Sequence, residues 1–297
     1  MNKIIIDWTK KKYDKNRYIF INSFDNTYLD PNMKIGKESL QKLSKLINSD
    51  SIEKPKYNFS NLENNCSIAI QAHAFYVDLI DEIINLTNNI PAKFDLYITT
   101  TKEKDKNLIE KYIKENSKAN KYEILVVENK GRDVLPLLNQ LNKVLNNYKY
   151  FCHIHTKKSR NNWRNYLFNN LLGKKIISEI LYDFETDDKL GLIFPPSYYE
   201  ITYVNIRINK NDIINLKNIF KGISDKIKVP DNFDYPSGNM FWARSKAVHQ
   251  IIELDINESC PEEPLPAGGT ILHAIERTWK FITEYNGYTY KILFRYL

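Results

Sequence analysis

The chain has 297 residues, of which 42% are hydrophobic and 27% charged, and its formal net charge is +7. This composition can bury a sizeable core and excludes a wholly disordered chain. The three cysteines are far apart, form no CxxC pair and are odd in number, which argues against a disulfide framework and fits a reducing compartment. The N-terminal apolar run is too short for a signal peptide, and no stretch approaches the roughly 20 apolar residues of a membrane span. We therefore expect a cytoplasmic protein.

The positive charge has two interpretations. It reflects either a Lys- and Asn-rich composition spread over the whole surface, or attraction to phosphate in a nucleotide, a polyprenyl diphosphate or the inner face of the membrane. Nucleic acid is not favoured as a partner, because the chain has no Arg-rich tract, helix-turn-helix signal or zinc-finger spacing.

Two regions differ in composition. Residues 1–65 are polar and rich in Lys, Asn, Asp and Tyr, and they are predicted to be an N-terminal extension or linker with one short amphipathic helix near residues 40–47. Residues 66–297 are predicted to form the functional domain. Its first half alternates strands with helices that carry apolar residues at helical spacing, and the strands are predicted at residues 67–71, 94–98, 123–127 and 150–154.

This alternation predicts an α/β fold with a mostly parallel, Rossmann-like sheet flanked by helices. The second half is less regular, with helices predicted at 163–182 and 271–285 and strands at 191–194 and 238–243. Ligands of such sheets bind beyond the carboxyl ends of the strands. Chemistry is therefore expected in the segments that follow those ends, which are 73–76, 99–101, 129–133 and 155–159.

The segment His153–Ser159 ends the fourth predicted strand. Alternation along the strand places His153 and His155 on one face, with Lys157 in the loop beyond. Imidazole, ammonium and hydroxyl groups that converge there would suit a diphosphate. The alternatives are one buried, hydrogen-bonded histidine with a solvated lysine pair, or a zinc site. The zinc site would need further ligands, since no Asp-x-Asp or His-Glu-x-x-His is present.

The segment Asn129–Asp133 joins the third strand to its helix. Gly131 permits a tight turn, and Arg132 can bridge a phosphate or carboxylate with its planar fork. Asp133 either caps the following helix or takes part in chemistry. The segment is neither a P-loop nor a Gly-x-Gly-x-x-Gly fingerprint.

Two later segments complete the candidates. Within 237–244, Trp242 and Arg244 are candidates for a pocket. Gly268-Gly269-Thr270 leads into the helix predicted at 271–285, on which His273, Glu276 and Arg277 share one face. Such a face could supply a general base, or it could be a surface lined with salt bridges.

These segments together resemble the rhamnan synthesis protein F family of bacterial polysaccharide glycosyltransferases. The resemblance covers about residues 66 to 280, and the matching stretches are His73–Tyr76, Asn129–Asp133, His155–Ser159, Trp163–Arg164, Gly238–Arg244 and His273–Arg277. It implies a glycosyltransferase-A-like domain that transfers a sugar, such as rhamnose, from a nucleotide-diphosphate donor. The implied acceptor is a lipid-linked or saccharide end of a growing surface polysaccharide, reached by peripheral contact with the inner membrane face.

The resemblance also implies roles for residues. His73, Tyr76 and Thr99 would line the nucleotide side of the donor. The rest of the donor set would be Asn129, Arg132, His153, His155 and Lys157, of which Arg132, His155 and Lys157 hold the diphosphate. Trp242 and Arg244 would line the acceptor pocket, and the catalytic set would be Asp133, Glu276 and His273.

Two departures from the family pattern matter. Glycosyltransferase-A enzymes commonly place a metal-binding Asp-x-Asp where this chain has His153–Ser159, so we expect no metal and no cofactor beyond the donor substrate. The family pattern before the last helix starts Asp-Gly-Thr, but this chain has Gly268 in the first position. Glu262, Glu263, Glu276 or Asp133 could replace that carboxylate. Otherwise the chain would be a non-catalytic nucleotide-sugar-binding subunit, and a His-x-His metallohydrolase is a third hypothesis.

Overall fold

The computed structural model describes Phe59, Leu62 and residues 66–159, 161–196, 210–219, 234–266 and 268–293. The helix predicted near residues 40–47 lies outside the described residues. The division into an extension and a domain at residue 65 stays a prediction.

In the part of the chain that the structure describes, seven strands form one sheet, and their order is β3-β2-β1-β4-β6-β5-β7. The strands are β1 (Ile68–His73), β2 (Phe94–Thr100), β3 (Lys121–Val126), β4 (Tyr150–His155), β5 (Leu190–Phe194), β6 (Phe241–Arg244) and β7 (Thr289–Ile292). The reversed strand is β6, which pairs antiparallel with both β4 and β5, whereas the other four pairings are parallel. The predicted mostly parallel sheet is therefore confirmed.

Helices cover both faces of the sheet. They are α1 (Ile80–Thr87), α2 (Glu103–Asn116), α3 (Val134–Leu141), α4 (Asn161–Leu172), α5 (Lys174–Thr186), α6 (Lys210–Ile219), α7 (Ser245–Ile252) and α8 (Ile271–Tyr285). Helices α1, α2, α4 and α5 bury their apolar residues in a cluster on the first face, and α3, α7 and α8 do so on the second face. Within the described residues, no helix is long and apolar enough to cross a bilayer.

The sequence accounts for most of these elements. β1 and β4 are buried along their whole lengths, as central parallel strands with helices on both faces must be. The helix predicted at 163–182 is instead two helices, α4 and α5, separated by Gly173. A Cβ at Gly173 would lie 2.4 Å from the carbonyl oxygen of Asn169, so this junction has no room for a larger residue.

The strand order positions the site. After β3 the chain returns to the other side of β1 and forms β4, so the direction of winding reverses between β1 and β4. Such a switch point opens a crevice at the carboxyl ends of the two strands. His73 and His155 are paired in register there. Because β6 is reversed, its first residue, Phe241, pairs with His153 at the same edge.

Candidate active site

Three histidines lie at the switch point. The rings of His153 and His155 are on the second face of the sheet, 6.2 Å apart and nearly parallel, so the prediction that they share a face is confirmed. His73 Nδ1 lies 2.9 Å from Thr99 Oγ1 at the end of β2. Burial lowers the pKa of His73 to about 4. His73 is therefore neutral at physiological pH and offers no positive charge to a phosphate.

His153 is fully buried and held from two sides. Its Nδ1 lies 2.6 Å from Gln71 Oε1, and Gln71 Nε2 donates in turn to Gln140 Oε1. Its Nε2 lies 3.3 Å from Asp133 Oδ2. Burial lowers the pKa of His153, although the nearby Asp133 carboxylate opposes that shift. Since both ring nitrogens face protein oxygens, His153 has none left for a donor, contrary to the sequence-based expectation.

The sequence leaves two interpretations of Asp133 open: a cap of the following helix, or a participant in the chemistry. It occupies the N-cap position of α3, but its side chain makes no capping hydrogen bond, so the capping interpretation is wrong. Instead its Oδ2 accepts a hydrogen bond from Asn239 Nδ2 at 2.7 Å and faces His153. Burial raises the pKa of Asp133, but the charge of His155 and the bond from His153 outweigh it and hold this pKa well below its usual range. Asp133 is thus an ionised carboxylate.

The turn before α3 presents Arg132 to solvent. Gly131 and Arg132 have φ angles of 72° and 51°, in the left-handed region. A Cβ on Gly131 would lie 2.4 Å from Leu135 Cβ, so only glycine fits. Arg132 and Asn129 are both exposed. Burial lowers the pKa of His273 most, the charge of Arg277 is the next cause, and the charge of Arg132 follows. Arg132 therefore lies near the start of α8.

A second left-handed turn, Gly238–Asn239, precedes β6 and contacts three candidate residues. The Gly238 N–H donates to Glu276 Oε1 at 2.8 Å, and the Gly238 carbonyl faces His155 Nε2 at 2.9 Å. Asn239 bonds to Asp133 as described above. Sequence reasoning did not single out Asn239, although the Ser237-Gly238 pair directly before it is a recognised turn signal.

His155 uses both ring nitrogens on backbone carbonyls. Its Nδ1 lies 3.1 Å from the Thr156 oxygen, and its Nε2 contacts Gly238. Neither nitrogen is directed to a ligand, so the expected direct contact with a diphosphate is not what the structure shows. His155 instead supports the Gly238–Asn239 turn.

Glu276 lies on α8 beside this turn. Its side chain is 19% exposed, so a substrate can reach it. Burial raises the pKa of Glu276, and the neighbouring Asp133 adds to the rise, whereas Arg277 and Lys157 oppose it. Arg277 is itself buried, with Nε 3.6 Å from Asp212 Oδ2. Glu276 Oε2 also lies 3.8 Å from Arg277 Nη1, so this face of α8 does carry ion pairs, as one alternative expected, but they are mostly buried and not on the surface.

His273 lies in the first turn of the same helix. Thr270 is the N-cap, and its Oγ1 lies 2.7 Å from His273 Nδ1 and accepts from the His273 backbone N–H. Burial lowers the pKa of His273, and the charge of Arg277 lowers it further. The predicted bounds of α8 are confirmed.

The loop after β4 carries Lys157. Its Nζ lies 3.9 Å above the ring of Trp163, a cation–π contact, and the Lys157 carbonyl accepts from Arg164 Nη1 at 2.8 Å. Tyr76 donates its backbone N–H to Thr156 Oγ1 at 2.9 Å, which joins the loops after β1 and β4. Lys157 and Tyr76 are both partly exposed. The predicted donor loops are therefore adjacent.

Trp242 and Arg244 are not where the sequence suggested. Trp242 is fully buried on the first face and donates from Nε1 to the Leu171 carbonyl. Arg244 pairs in register with Tyr150 at the start of β4, which is the opposite edge of the sheet. Its guanidinium donates to the carbonyls of Leu190, Phe184 and Asp187. Their assignment to an acceptor pocket is wrong, because β6 runs antiparallel and carries Arg244 away from the site.

The described residues contain no group of three or more His, Cys, Asp or Glu side chains placed to hold a metal ion. In the described structure, the assembled groups are instead two carboxylates with shifted pKa values, Asp133 and Glu276, and two nearby cations, Arg132 and Lys157. This arrangement can accept a proton and stabilise an anion.

A mostly parallel seven-stranded sheet with helices on both faces and polar groups at a switch point defines an α/β protein of the Rossmann-like class. The chain belongs to the rhamnan synthesis protein F family, whose model matches residues 5–288. The match begins well before residue 66, so the family resemblance also covers most of the stretch predicted to be an extension. The family takes its name from the synthesis of rhamnan, a polysaccharide.

Curated relatives are found in two strains of Xanthomonas campestris pv. campestris, where the protein is named "Uncharacterized protein WxcX". In each case 231 residues align at 31% identity, which covers 75% of this chain and 32% of the relative. The aligned part of this chain thus spans about a third of the relatives' length.

Proposed function

We propose that the chain is a glycosyltransferase that uses a nucleotide-diphosphate sugar, of which deoxythymidine-diphosphate rhamnose is the first candidate, and a growing cell-surface polysaccharide as acceptor. The observation that carries the proposal is the pair Asp133 and Glu276 at the switch point. Their environments move their pKa values in opposite directions. Such a divergence is typical of carboxylates with different roles in one reaction.

Glu276 is the proposed base. It is accessible, and its raised pKa makes it a better proton acceptor than an ordinary carboxylate. It would take the proton of the acceptor hydroxyl while that oxygen bonds to the anomeric carbon of the donor sugar. The bond from that carbon to the diphosphate breaks, and the diphosphate leaves with the electron pair. Asp133 stays ionised and holds the turn beside Glu276, and His273 lies at the start of the same helix.

Arg132 and Lys157 are the proposed partners of the diphosphate. Both are at the carboxyl edge, and both influence the charges of α8, since Arg132 lowers the pKa of His273 and Lys157 that of Glu276. Stabilising the negative charge of a leaving group is usually a large catalytic contribution. In this proposal Tyr76, His73 and Asn129 border the nucleotide side. Thr99 is fully buried and contacts His73, so it supports the site as His153 and His155 do, without touching the donor.

Thermal shift with a panel of nucleotide sugars tests the donor assignment, because a true donor raises the melting temperature by mass action. Arg132→Ala and Lys157→Ala should each lose the shift. The matched control is Lys111→Ala. Lys111 lies in the middle of α2, outside the loops at the carboxyl ends of the strands, and its side chain is 69% exposed. If both variants keep the full shift of the unmodified protein, the phosphate assignment is wrong.

A second candidate function is a non-catalytic nucleotide-sugar-binding subunit, and Gly268 motivates it. The family pattern has a carboxylate at this position, and a Cβ added to Gly268 would meet no atom within 4 Å. A donor that stabilises the fold but never releases its nucleoside diphosphate would favour this function. Gly268→Asp should then be tolerated, and gain of transfer in that variant would identify the missing base. Elemental analysis that finds zinc, manganese or iron would instead revive the metallohydrolase hypothesis.

A further inference from the structure

We propose that Asn239 is a positioning residue of this site, which fixes the Asp133 carboxylate and, through its turn, the Glu276 side chain. Its kinetic consequence rests on the proposed function. Its electrostatic consequence does not.

The backbone of Asn239 is the first argument. Its φ is 54°, in the left-handed region that side chains other than glycine rarely adopt. Asparagine tolerates this conformation better than most residues, and a strained conformation persists only where its surroundings hold it. Here the side chain is 3% exposed and makes two hydrogen bonds of 2.7 Å.

The chemistry of those bonds fixes the amide orientation. Trp279 Nε1 can only donate, so the atom of Asn239 that faces it must be the oxygen. The amide nitrogen must therefore face Asp133 Oδ2. A donor at this place favours the charged form of Asp133. The two side-chain bonds to Asp133 from described residues both reach Oδ2.

The adjacent residue extends the effect to α8. Gly238 donates its N–H to Glu276 Oε1 and accepts from His155. The two residues of one turn thus contact Asp133, Glu276 and His155 together. A change in the Asn239 side chain should disturb both carboxylates, although it touches only one of them.

The test is to replace the donor by an acceptor. In Asn239→Asp the shape, the left-handed tolerance and the oxygen that faces Trp279 are all kept, but a second carboxylate lies against Asp133. Two carboxylates at this separation cannot both ionise readily, so the pair takes up a proton well above the usual carboxyl range. The titratable groups that surround Asp133 are His73 of β1, His153 and His155 of β4, and His273 and Glu276 of α8.

Denaturant unfolding across pH 4 to 8 reads this effect without any enzyme assay. Relative to the unmodified protein, Asn239→Asp should lose stability as the pH rises through that range and recover it on acidification. The matched control is Asn139→Asp, since Asn139 is exposed and bonds only to Asn257 among the described residues. Its curve should run parallel to that of the unmodified protein. If the stability curve of Asn239→Asp also runs parallel to that of the unmodified protein, the proposal is overturned.

The kinetic arm uses Asn239→Gly, which keeps the backbone conformation and removes the side chain. We expect kcat to fall by about 10-fold or more with donor affinity retained, because the base is misplaced but the cations are intact. Equal losses in kcat and donor affinity, or no loss in either, would contradict a positioning role. If the pH effect is present but no transfer is found for the unmodified protein, the positioning contact stands and the proposed function fails. Asn239→Gly also serves for the stability arm if Asn239→Asp does not fold, and it should then show a loss without the steep pH dependence.

Discussion

Replacing Gly238 by alanine tests how tightly the turn beside the two carboxylates is built. The φ of Gly238 is 87°, and the left-handed backbone costs an L side chain roughly 1–2 kcal/mol. The new Cβ would also lie 3.0 Å from Trp163 Cζ2 and 3.1 Å from Leu167 Cδ1. Relieving such crowding in a packed site typically costs about 1–3 kcal/mol. We therefore expect Gly238→Ala to lower the free energy of unfolding by about 2–5 kcal/mol.

Two other glycines separate these contributions. Gly287 has a φ of 77° and nothing within 4 Å of an added Cβ, so Gly287→Ala carries the backbone cost alone. Gly268 has open space and no positive φ, so Gly268→Ala should change stability by less than about 1 kcal/mol. Urea unfolding of the three variants gives the ranking. If Gly238→Ala is no more destabilising than Gly287→Ala, the packing argument for the turn is refuted.

Three further predictions concern single side chains. Because the pKa of Glu276 is raised in the folded state, the unmodified protein loses stability as the pH rises through that pKa. Glu276→Gln should lack this loss and be at least as stable at neutral pH, and it should abolish sugar transfer. Urea unfolding at several pH values checks the stability, and a destabilised variant at neutral pH would count against the assignment. His73 has a pKa of about 4 in the folded protein, below its unfolded value of 6.5, because the fold favours its neutral form. Protonation of the unfolded chain therefore removes about 3 kcal/mol of stability as the pH falls from 6.5 to 4. His73→Asn should flatten the stability curve over that interval, and an unchanged slope would show that other groups control it. Arg244→Ala removes a buried guanidinium that donates to the carbonyls of Leu190, Phe184 and Asp187, of which Phe184 keeps the Tyr150 hydroxyl and Asp187 keeps the Leu190 N–H as donors. The variant should cost about 2–4 kcal/mol in unfolding experiments, yet leave donor affinity unaltered in the folded protein, and a selective loss of affinity would restore the residue to the site.

The sequence predicted the regular elements well, because their apolar patterns are strong. The strand that begins at Phe94 and the helix over residues 271–285 were placed with the right starts, and the latter with the right end. β7 was missed. Its four residues alternate between partly buried and buried, which is too short a pattern to stand out among neighbouring polar residues.

The site was harder to predict, since its contacts depend on strand direction and backbone conformation. Nothing in the local sequence shows that β6 is reversed, so Arg244 was placed at the wrong edge and Asn239 was overlooked. The local sequence around Asp133 fits a helix cap and a catalytic residue equally well. The two interpretations are distinguished only by the partners of its side chain, His153 and Asn239, which lie 20 and 106 positions away.

The reversed strand also has a consequence for how the molecule folds. The bonds that define the site span 38, 83 and 106 positions, and each depends on the turn that precedes β6. β2 pairs with β1 and with β3 across 26 positions, whereas the pairs of β4 with β1 and with β6 span 82 positions or more, and contacts of long separation carry the larger loop-closure cost. We expect β1, β2 and β3 to pair first and β4 and β6 to join later, so that the two carboxylates meet only at a late stage of folding. An intermediate that contains only the first three strands would then have no active site.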